Sequence, residues 1–224
     1  MNYKYISIKL NMLLSPPIGY LARIFYKYKY KNPPIFGKYI YINPKQIVYW
    51  YNKVSYREFV FEGQVVGGDW EDRMRDAEIV FKTSLKYNGI IDHFVHSIPW
   101  NKTSYKEKIT KNIRSKEKAE KKFKRQCKKI DELFYDIKER GFKTNEDDPK
   151  IEDIFVHIYK EGQIVYTAGG NHRLAIAIAL GIEKMPVRVY RRHKEWMKIR
   201  EEYLDADNSL SVNLDKYKNH PDLI

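Results

Sequence analysis

Cysteine is nearly absent from this chain of 224 residues. Cys127 is the single cysteine, so no disulfide can form within the chain, and a reducing compartment such as the cytoplasm is the expected location. Long apolar runs are missing as well. The stretch Tyr5–Leu14 is interrupted by Lys9 and Asn11, and it is shorter than the roughly 20 apolar residues of a membrane-spanning helix. It also lacks the small-residue cleavage site of a secretory signal.

Acidic residues are missing from the first part of the chain, because none precedes Glu58. The whole chain has a net charge of +13, which predicts anionic partners such as nucleotides, nucleic acid or an acidic membrane surface. The strip Ile18–Lys31 is aromatic and basic. Its tyrosines either pack on the domain, or the strip lies at a membrane surface or stacks on bases. Residues 1–35 are interpreted as an appended arm.

Local patterns predict several elements outside the central motif. Lys38–Ile42 has the composition of a strand, and Lys45–Asn52 follows as a short helix or turn. Phe59–Val66 contains two β-branched and aromatic segments around Glu-Gly, which is typical of a hairpin. Arg73–Tyr87 has helical periodicity. Thr144–Lys150 is rich in Asn and Asp and is interpreted as a surface loop.

A strand-turn-helix-strand pattern occupies Ile164–Val189. A β-branched run leads into Gly169-Gly170, and an alanine-rich apolar helix follows and ends at Gly181. Glycine permits the backbone angles of a tight turn. Asn171 is the expected N-cap and Gly181 the expected C-cap of the helix.

His172 and Arg173 are thereby placed at the mouth of this helix. Its free amides and its dipole favour an anion at that point. The segment Gly169–Arg173 is therefore predicted to bind phosphate. The alternative is a structural glycine turn with a histidine and an arginine on the surface.

The same order of strand, Gly-Gly-x-His-Arg turn, alanine-rich helix and Met185–Val189 strand resembles the ParB/sulfiredoxin fold, whose members hold nucleotide phosphates at this turn. Upstream, Leu133–Phe142 is similar to the helix that precedes the central strand of that family, and Ile154–Tyr159 takes the place of the strand. A weaker similarity lies at Tyr39–Gln46. The resemblance implies an α+β domain at residues 36–204, with a small mixed sheet and packed helices. A lysine-rich helical insertion is expected at 101–130 and a polar tail at 205–224.

Two branches of the family are disfavoured by the residues themselves. The sulfiredoxin branch has a catalytic cysteine where this chain has Asn171, and an amide cannot form the thiol-based intermediate. The chromosome-partitioning branch, which binds CTP and clamps DNA, usually has Gly-Glu-Arg-Arg at the turn, and here only Arg173 is kept. Too few residues follow Tyr190 for the helix-turn-helix domain of that branch.

A third branch contains small-molecule kinases whose turn also has a His-Arg pair. Phosphoryl transfer needs positioned phosphates, neutralised charge and a carboxylate that takes a proton. The resemblance therefore implies binding of ATP, ADP or CTP with Mg²⁺, and a phosphotransferase or phosphohydrolase activity. The rival hypotheses are a non-catalytic nucleic-acid-binding module and a peripheral membrane-associated accessory protein.

Acidic residues that follow a second glycine pair are the candidate catalytic groups. Asp69 and Asp72 are candidate ligands of Mg²⁺, and Glu71 or Asp72 is the candidate base, with His172 as a further catalytic candidate. Like-charge coupling among these acids is expected to raise the pKa of one of them. The alternative is that the acids stabilise the first turn of a helix.

Arg191, Arg192 and His193 follow the strand after the phosphate turn. They are expected to lie on the same edge of the sheet as the turn and to donate to the nucleotide. Trp70 and Trp196 are expected to form walls of that site.

The segment Lys102–Lys129 contains 13 lysine or arginine residues and three acids. A thin apolar stripe, including Phe123 and Cys127, predicts a solvated helix or helix pair. The alternative is a surface for nucleic acid or another polyanion. A zinc site at His93 and His96 is a weaker hypothesis, because no cysteine pair and no HExxH pattern accompanies them.

Overall fold

Seven strands form one mixed sheet in the structure, a computed structural model that describes residues 17–51, 61–206 and 214–224. The strands are β1 (Tyr39–Ile42), β2 (Ile47–Tyr51), β3 (Gln64–Val66), β4 (Met74–Asp76), β5 (Phe155–Ile158), β6 (Ile164–Ala168) and β7 (Met185–His193). Their order is β1-β7-β5-β6-β2-β4, and β3 pairs with the end of β7. β5 is parallel to β7 and antiparallel to β6. The prediction of an α+β chain with a mixed sheet is confirmed.

Seven α-helices surround this sheet in the described residues. They are α1 (residues 17–29), α2 (Ala77–Thr83), α3 (Leu85–Phe94), α4 (Ser104–Thr110), α5 (Lys116–Arg140), α6 (Asn171–Ala179) and α7 (Lys194–Asp205). Alternate residues of β6 pack into different apolar clusters: Ile164 and Tyr166 join the main core with α6, and Val165 joins a smaller aromatic cluster. Because successive side chains of a strand point to opposite faces, both faces of the sheet are covered. Among the described residues, no helix has both the length and the apolar composition that crossing a membrane requires.

β1 confirms the strand predicted at Lys38–Ile42, whereas the segment after β1 differs from its prediction. One 3₁₀ turn, Pro44–Gln46, follows β1, and its N-cap Asn43 accepts a hydrogen bond from the Lys45 amide at 2.9 Å. The short helix or turn expected at Lys45–Asn52 is therefore present only as this 3₁₀ turn, and the chain continues directly as the strand β2. The Ile-Val-Tyr-Trp-Tyr segment pairs with both β4 and β6, a setting that favours β-branched and aromatic residues.

The helix predicted at Arg73–Tyr87 is divided into a strand and two helices. Asp76 ends β4, and its carboxylate caps α2 by accepting from the Ile79 amide at 3.1 Å. Ser84 then caps α3. Such side chains compete with a continuous helix by bonding to the backbone themselves. The predicted hairpin at Phe59–Val66 lies partly outside the described residues, and its second strand, β3, pairs in parallel with β7.

The lysine-rich segment forms α4 and the first part of α5, as the helix-pair prediction stated. The apolar stripe of α5 is buried at Phe123, Cys127 and Ile130, and it continues through Phe134 and Ile137 to the end of the helix. Gly141, with a φ of 75°, ends α5. The stripe therefore fixes α5 on the core and leaves its basic side exposed.

The C-terminal residues 214–224, which belong to the expected polar tail, are packed on the domain. Leu214, Tyr217 and Asp222 are buried. The Asp222 carboxylate accepts hydrogen bonds from the Arg192 guanidinium and from the Trp196 indole Nε1 at 2.9 Å. This segment is anchored by a buried ion pair that the sequence pattern does not reveal.

Candidate anion-binding cleft

The turn between β6 and α6 requires glycine at two successive positions. Gly169 and Gly170 have φ values of 74° and 50°, in the left-handed region. A Cβ at Gly169 would lie 2.0 Å from the Asp153 carbonyl oxygen, and one at Gly170 would lie 2.4 Å from Cγ1 of Ile154. Both the backbone angle and the close approach of the chain before β5 therefore exclude a side chain here.

The N-cap of α6 is Gly170, so the prediction that Asn171 caps this helix is wrong. The left-handed Gly170 turns the chain early enough that Asn171 is already the first helical residue. No side chain of the described residues caps the helix through its N-cap position. The N-cap therefore supplies no side chain to the first amides of α6, which leaves them to another partner such as an anion. At the other end, Gly181 has a φ of 65° and follows Leu180, the C-cap, as expected for a helix that ends at glycine.

A cleft of about 320 Å³ lies beside the start of α6. One wall is the second half of α5, which contributes Leu133, Asp136 and Ile137. A second wall is the loop before β5, named here the cleft loop (residues 143–152). The floor is formed by Gly170, His172 and Arg173. The cleft thus combines the predicted phosphate turn with the loop that was predicted to lie on the surface.

Arg173 holds the cleft loop in place. This buried side chain donates from Nη1 to the Glu152 carbonyl at 3.1 Å and from Nη2 to the Lys143 carbonyl. Its guanidinium also lies 4.8 Å from the ring centre of Phe142. Burial lowers the pKa of Arg173, but an arginine keeps its charge at neutral pH. Arg173 therefore supports the wall of the cleft and places a positive charge behind it.

Asp153 organises the other end of the cleft loop. Its Oδ1 accepts from the Asn145 amide at 3.1 Å, and its Oδ2 accepts from the Tyr39 hydroxyl at 2.7 Å. The Arg188 guanidinium lies 3.2 Å from the same Oδ2. These contacts fix the loop from both sides, so the cleft is part of the folded domain.

His172 lines the cleft as a neutral side chain. Its Nε2 lies 3.2 Å from the hydroxyl of Tyr105 on α4. Burial, together with the nearby positive charge of Lys86, lowers the pKa of His172 to about 4. Tyr105 is positioned by the close packing of α3 on α4, where a Cβ at Gly89 would lie 2.5 Å from the Tyr105 nitrogen. The imidazole can therefore exchange hydrogen bonds with a ligand without carrying a charge at neutral pH.

Cations and carboxylates both border the cleft. Lys143 and Lys150 line it, and burial lowers the pKa of Lys86, which lies near both His172 and Glu152. The carboxylates are Asp136, Asp148 and Glu152. Asp136 is close to Arg140 and Lys143, at 3.3 and 3.5 Å.

The residues of the cleft loop were not predicted as site residues, although the sequence contains a signal for them. β5 and β6 form an antiparallel pair in which Phe155 is the partner of Ala168. The residues before β5 must then lie beside the residues after β6. Recognising the short connection between these two strands would have placed the cleft loop at the glycine turn.

The predicted acidic site lies at the opposite end of the sheet. Asp69 and Glu71 are exposed and contact Lys160, whose Nζ lies 2.5 Å from Asp69 Oδ1 and 3.3 Å from Glu71 Oε1. The Tyr159 hydroxyl also donates to Glu71 at 2.5 Å. Tyr159 and Lys160 follow the C-terminal end of β5, whereas the glycine turn lies at its N-terminal end. The prediction that the acids and the turn form one site is therefore wrong.

The expected coupling among the acids is also wrong. The hydrogen bond and the charge of Lys160 lower the pKa of Asp69, and the Tyr159 hydroxyl lowers that of Glu71. Asp72 is exposed in the same turn. Asp69 and Asp72 do not fit the proposed Mg²⁺ site, because an ammonium group occupies the space beside Asp69. Among the described residues, no group of three or more His, Cys, Asp or Glu side chains could hold a metal ion.

Arg191, Arg192 and His193 also lie away from the turn. β7 runs parallel to β5, so the last residues of β7 pair with the C-terminal end of β5, where Ile158 is opposite Arg192. Arg191 donates to Gln64 at 2.9 Å, and Arg192 binds Asp222. His193 Nε2 lies 2.9 Å from the Gly68 carbonyl oxygen. The prediction that these residues share an edge with the turn is wrong.

The remaining aromatic and histidine candidates pack within the fold. Trp70 contacts His193 with a ring separation of 5.2 Å, and Trp196 is fully buried against Asp222, so neither forms a wall of the cleft. His93 stacks on Trp100 at 4.0 Å, with its Nδ1 2.8 Å from the Ile98 carbonyl oxygen. Its contacts are those of a structural side chain.

Comparison of this chain with protein-family models, with curated proteins and with solved structures finds no match. Of the predicted binding residues, Gly170, His172 and Arg173 line the cleft, Gly169 precedes them in the turn, and Asn171 begins the helix. The second group, at the far end of the sheet, is separate from them.

Proposed function

We propose that this protein binds a nucleotide, with its phosphates at the start of α6, in a domain of the ParB/sulfiredoxin-like fold. The order of β6, the glycine turn, α6 and β7 is the one that the resemblance implies. The observation that carries the proposal is the cleft itself. Its volume of about 320 Å³ falls in the range of roughly 300–1,000 Å³ that small-molecule sites occupy.

The floor of the cleft and two of its lysines offer positive charge to a phosphate, while Asp136, Asp148 and Glu152 supply the carboxylates of the lining. The uncapped first turn of α6 and the charge of Arg173 act together from the floor. Lys143 and Lys150 can approach a phosphate from the loop side. A phosphate dianion beside His172 would also favour the protonated imidazole, which adds a charge-assisted hydrogen bond when the ligand is present.

The geometry supports binding more directly than catalysis. A general base works best when its pKa is near the working pH, and burial holds the pKa of His172 at about 4. Phosphotransferase or phosphohydrolase activity is therefore a second step of the proposal. In that step, Glu152, an exposed carboxylate at the cleft, would replace Asp69 and orient the attacking hydroxyl or water by accepting its hydrogen bond.

The binding proposal is tested by calorimetric titration of ATP, ADP and CTP, with and without Mg²⁺. The double variant Lys143→Gln/Lys150→Gln should bind at least about tenfold more weakly, because each charged hydrogen bond to phosphate contributes roughly 1.5–3 kcal/mol. The matched control Lys216→Gln/Lys218→Gln removes the same charge from the exposed C-terminal turn and should bind like the wild type. Equal affinity of the two double variants, or no binding of any nucleotide, would contradict the proposal.

A second candidate function is suggested by the exposed side of α5. Its N-terminal part, Lys116–Lys129, contains seven exposed cations that form no ion pair with other described residues: Lys116, Lys118, Lys121, Lys122, Lys124, Arg125 and Lys129. A surface of this kind can neutralise several phosphates of a nucleic acid. Binding should then weaken steeply with salt and depend little on base sequence. Affinity for a DNA or RNA duplex that does not change with salt would exclude this function.

A further inference from the structure

Helix α1 presents a broad apolar face to solvent. Five large side chains on it are exposed, with exposed fractions of 64, 64, 41, 57 and 88% for Tyr20, Leu21, Ile24, Phe25 and Tyr28 respectively. At about 100° per residue, these positions cover a continuous arc of about 140° on one side of the helix. Scattered exposed apolar residues are ordinary, but an arc of five on one helix indicates a docking face.

The opposite face of α1 is fixed to the domain. Tyr26 is buried, its hydroxyl accepts from the Val65 amide at 2.9 Å, and its ring lies 6.2 Å from that of Phe36. Gly19 packs against Phe61, where a Cβ would lie 3.6 Å from the ring. The apolar arc therefore points outward because the inner face is already held.

The C-terminal end of α1 is anchored as well. The amides of Lys31 and Asn32 donate to the Glu201 carboxylate on α7 at 2.7 and 3.0 Å. Arg200 donates back to the Asn32 carbonyl. These bonds hold the helix in one orientation on the surface.

Cations border the apolar arc on both sides. Lys27 lies just outside one edge and Lys29 just outside the other, by the same helical geometry. Arg23 is on the Lys27 side and stacks on Phe36 at 4.5 Å. No acidic residue precedes Glu58 in the sequence, so no carboxylate of this part of the chain offsets the positive border.

We propose that α1 docks on an anionic lipid bilayer. The arc would enter the boundary between headgroups and acyl chains, and Lys27 and Lys29 would extend to the lipid phosphates. Two other occupants fit this face less well. A second copy of the chain, in a symmetric contact, would place Lys27 and Lys29 near the same lysines of the other copy, and these like charges repel. A nucleic acid would place phosphates and bases against the aliphatic Leu21 and Ile24, which offer neither charge nor a stacking surface.

The test is co-sedimentation of the full chain with phosphatidylcholine vesicles that contain or lack phosphatidylserine. The wild type should bind the anionic vesicles and bind the neutral ones much more weakly. Leu21→Ser/Phe25→Ser should lower partitioning at least about tenfold, because two large apolar side chains no longer enter the membrane. Lys27→Gln/Lys29→Gln should lower it by a smaller factor and reduce its dependence on salt.

A matched control is available in Ile79→Ser/Tyr135→Ser, which removes two exposed apolar side chains from α2 and α5 and should partition like the wild type. Circular dichroism and thermal unfolding check that each variant is folded. The proposal is overturned if the wild type does not bind anionic vesicles, or if the α1 variant binds as well as the control. It is also overturned if the α1 face instead mediates self-association or oligonucleotide binding that the same variant abolishes.

Discussion

The two ends of the central strands have similar kinds of charged residues but use them differently. At the end with the glycine turn, Lys143 and Lys150 border a cleft of about 320 Å³. At the other end, Arg192 and Asp222 bind each other, and the space beside them is only about 20 Å³. Residue type alone does not distinguish a binding site from a structural ion pair. The distinction depends on burial: Arg192 and Asp222 enclose each other, whereas Lys143, although 3.5 Å from Asp136, and Lys150 stay open to a ligand at the cleft.

The largest expected effect concerns the end of the sheet where Arg192 and Asp222 bind each other, named here the paired end. Asp222→Asn should lower the free energy of unfolding by about 3–5 kcal/mol, because it leaves Arg192 buried without a countercharge. Burial alone would raise the pKa of Asp222, but the charge of Arg192 holds it below its usual value. Urea denaturation measures the loss, with the exposed Asp215→Asn as the control. A loss no larger than that of the control would show that this pair does not anchor the C-terminal segment.

Sequence patterns predicted elements whose information is local. The strand, the glycine turn and the helix from Ile164 to Gly181 are contiguous, and the apolar stripe of α5 repeats within one helix. Which residues lie at which end of the sheet could not be predicted in the same way, because the direction of each strand is set by the pairing of β5 with β6 and β7. The partners of the acids are also remote, since Lys160 and Asp69 are separated by 91 positions.

The N-cap of α6 was predicted wrongly for a different reason. Asn171 has the right side chain for a cap, but the backbone of Gly170 decides where the helix begins. The left-handed angle of a glycine cannot be assigned from its identity alone, because glycine adopts many angles. Here the close approach of Asp153 and Ile154 selects the angle, and that approach is a tertiary contact.

The glycine turn can be tested with a pair of matched variants. Gly170→Ala should destabilise the protein through its positive φ, by about 1–2 kcal/mol. The contact of the new Cβ with Ile154 should add about 1–3 kcal/mol more. Gly181→Ala has a similar φ but no heavy atom within 4 Å of the new Cβ, so only the first effect applies. Equal losses of unfolding free energy in the two variants would mean that the close approach at the turn does not contribute.

The buried side chain of His157, at the paired end, predicts that the free energy of unfolding depends on pH. Burial, with the charge of Arg191, lowers the pKa of His157 to about 3 from 6.5, and neither ring nitrogen has a hydrogen-bond partner among the described residues. Because folding favours the neutral ring, stability should fall as pH drops below 6.5, with a slope up to about 1.4 kcal/mol per pH unit. His157→Phe should remove this part of the slope and leave stability at pH 7 equal or higher. An unchanged slope between pH 6.5 and 4.5 would contradict this assignment.

The smallest expected effect provides the sharpest contrast between the two ends. Asp69→Asn removes a carboxylate that the sequence pattern assigned to catalysis, but in the structure it is an exposed partner of Lys160. Exposed ion pairs contribute little to stability, and the residue lies far from the glycine turn along the sheet. The variant should therefore show an unchanged unfolding midpoint and unchanged nucleotide affinity, measured by the same titrations as the cleft variants.

If nucleotide hydrolysis or transfer is detected in the wild type, Glu152→Gln should reduce it and Asp69→Asn should not. The reverse order would return the chemistry to the acidic turn and leave the cleft as a binding surface only.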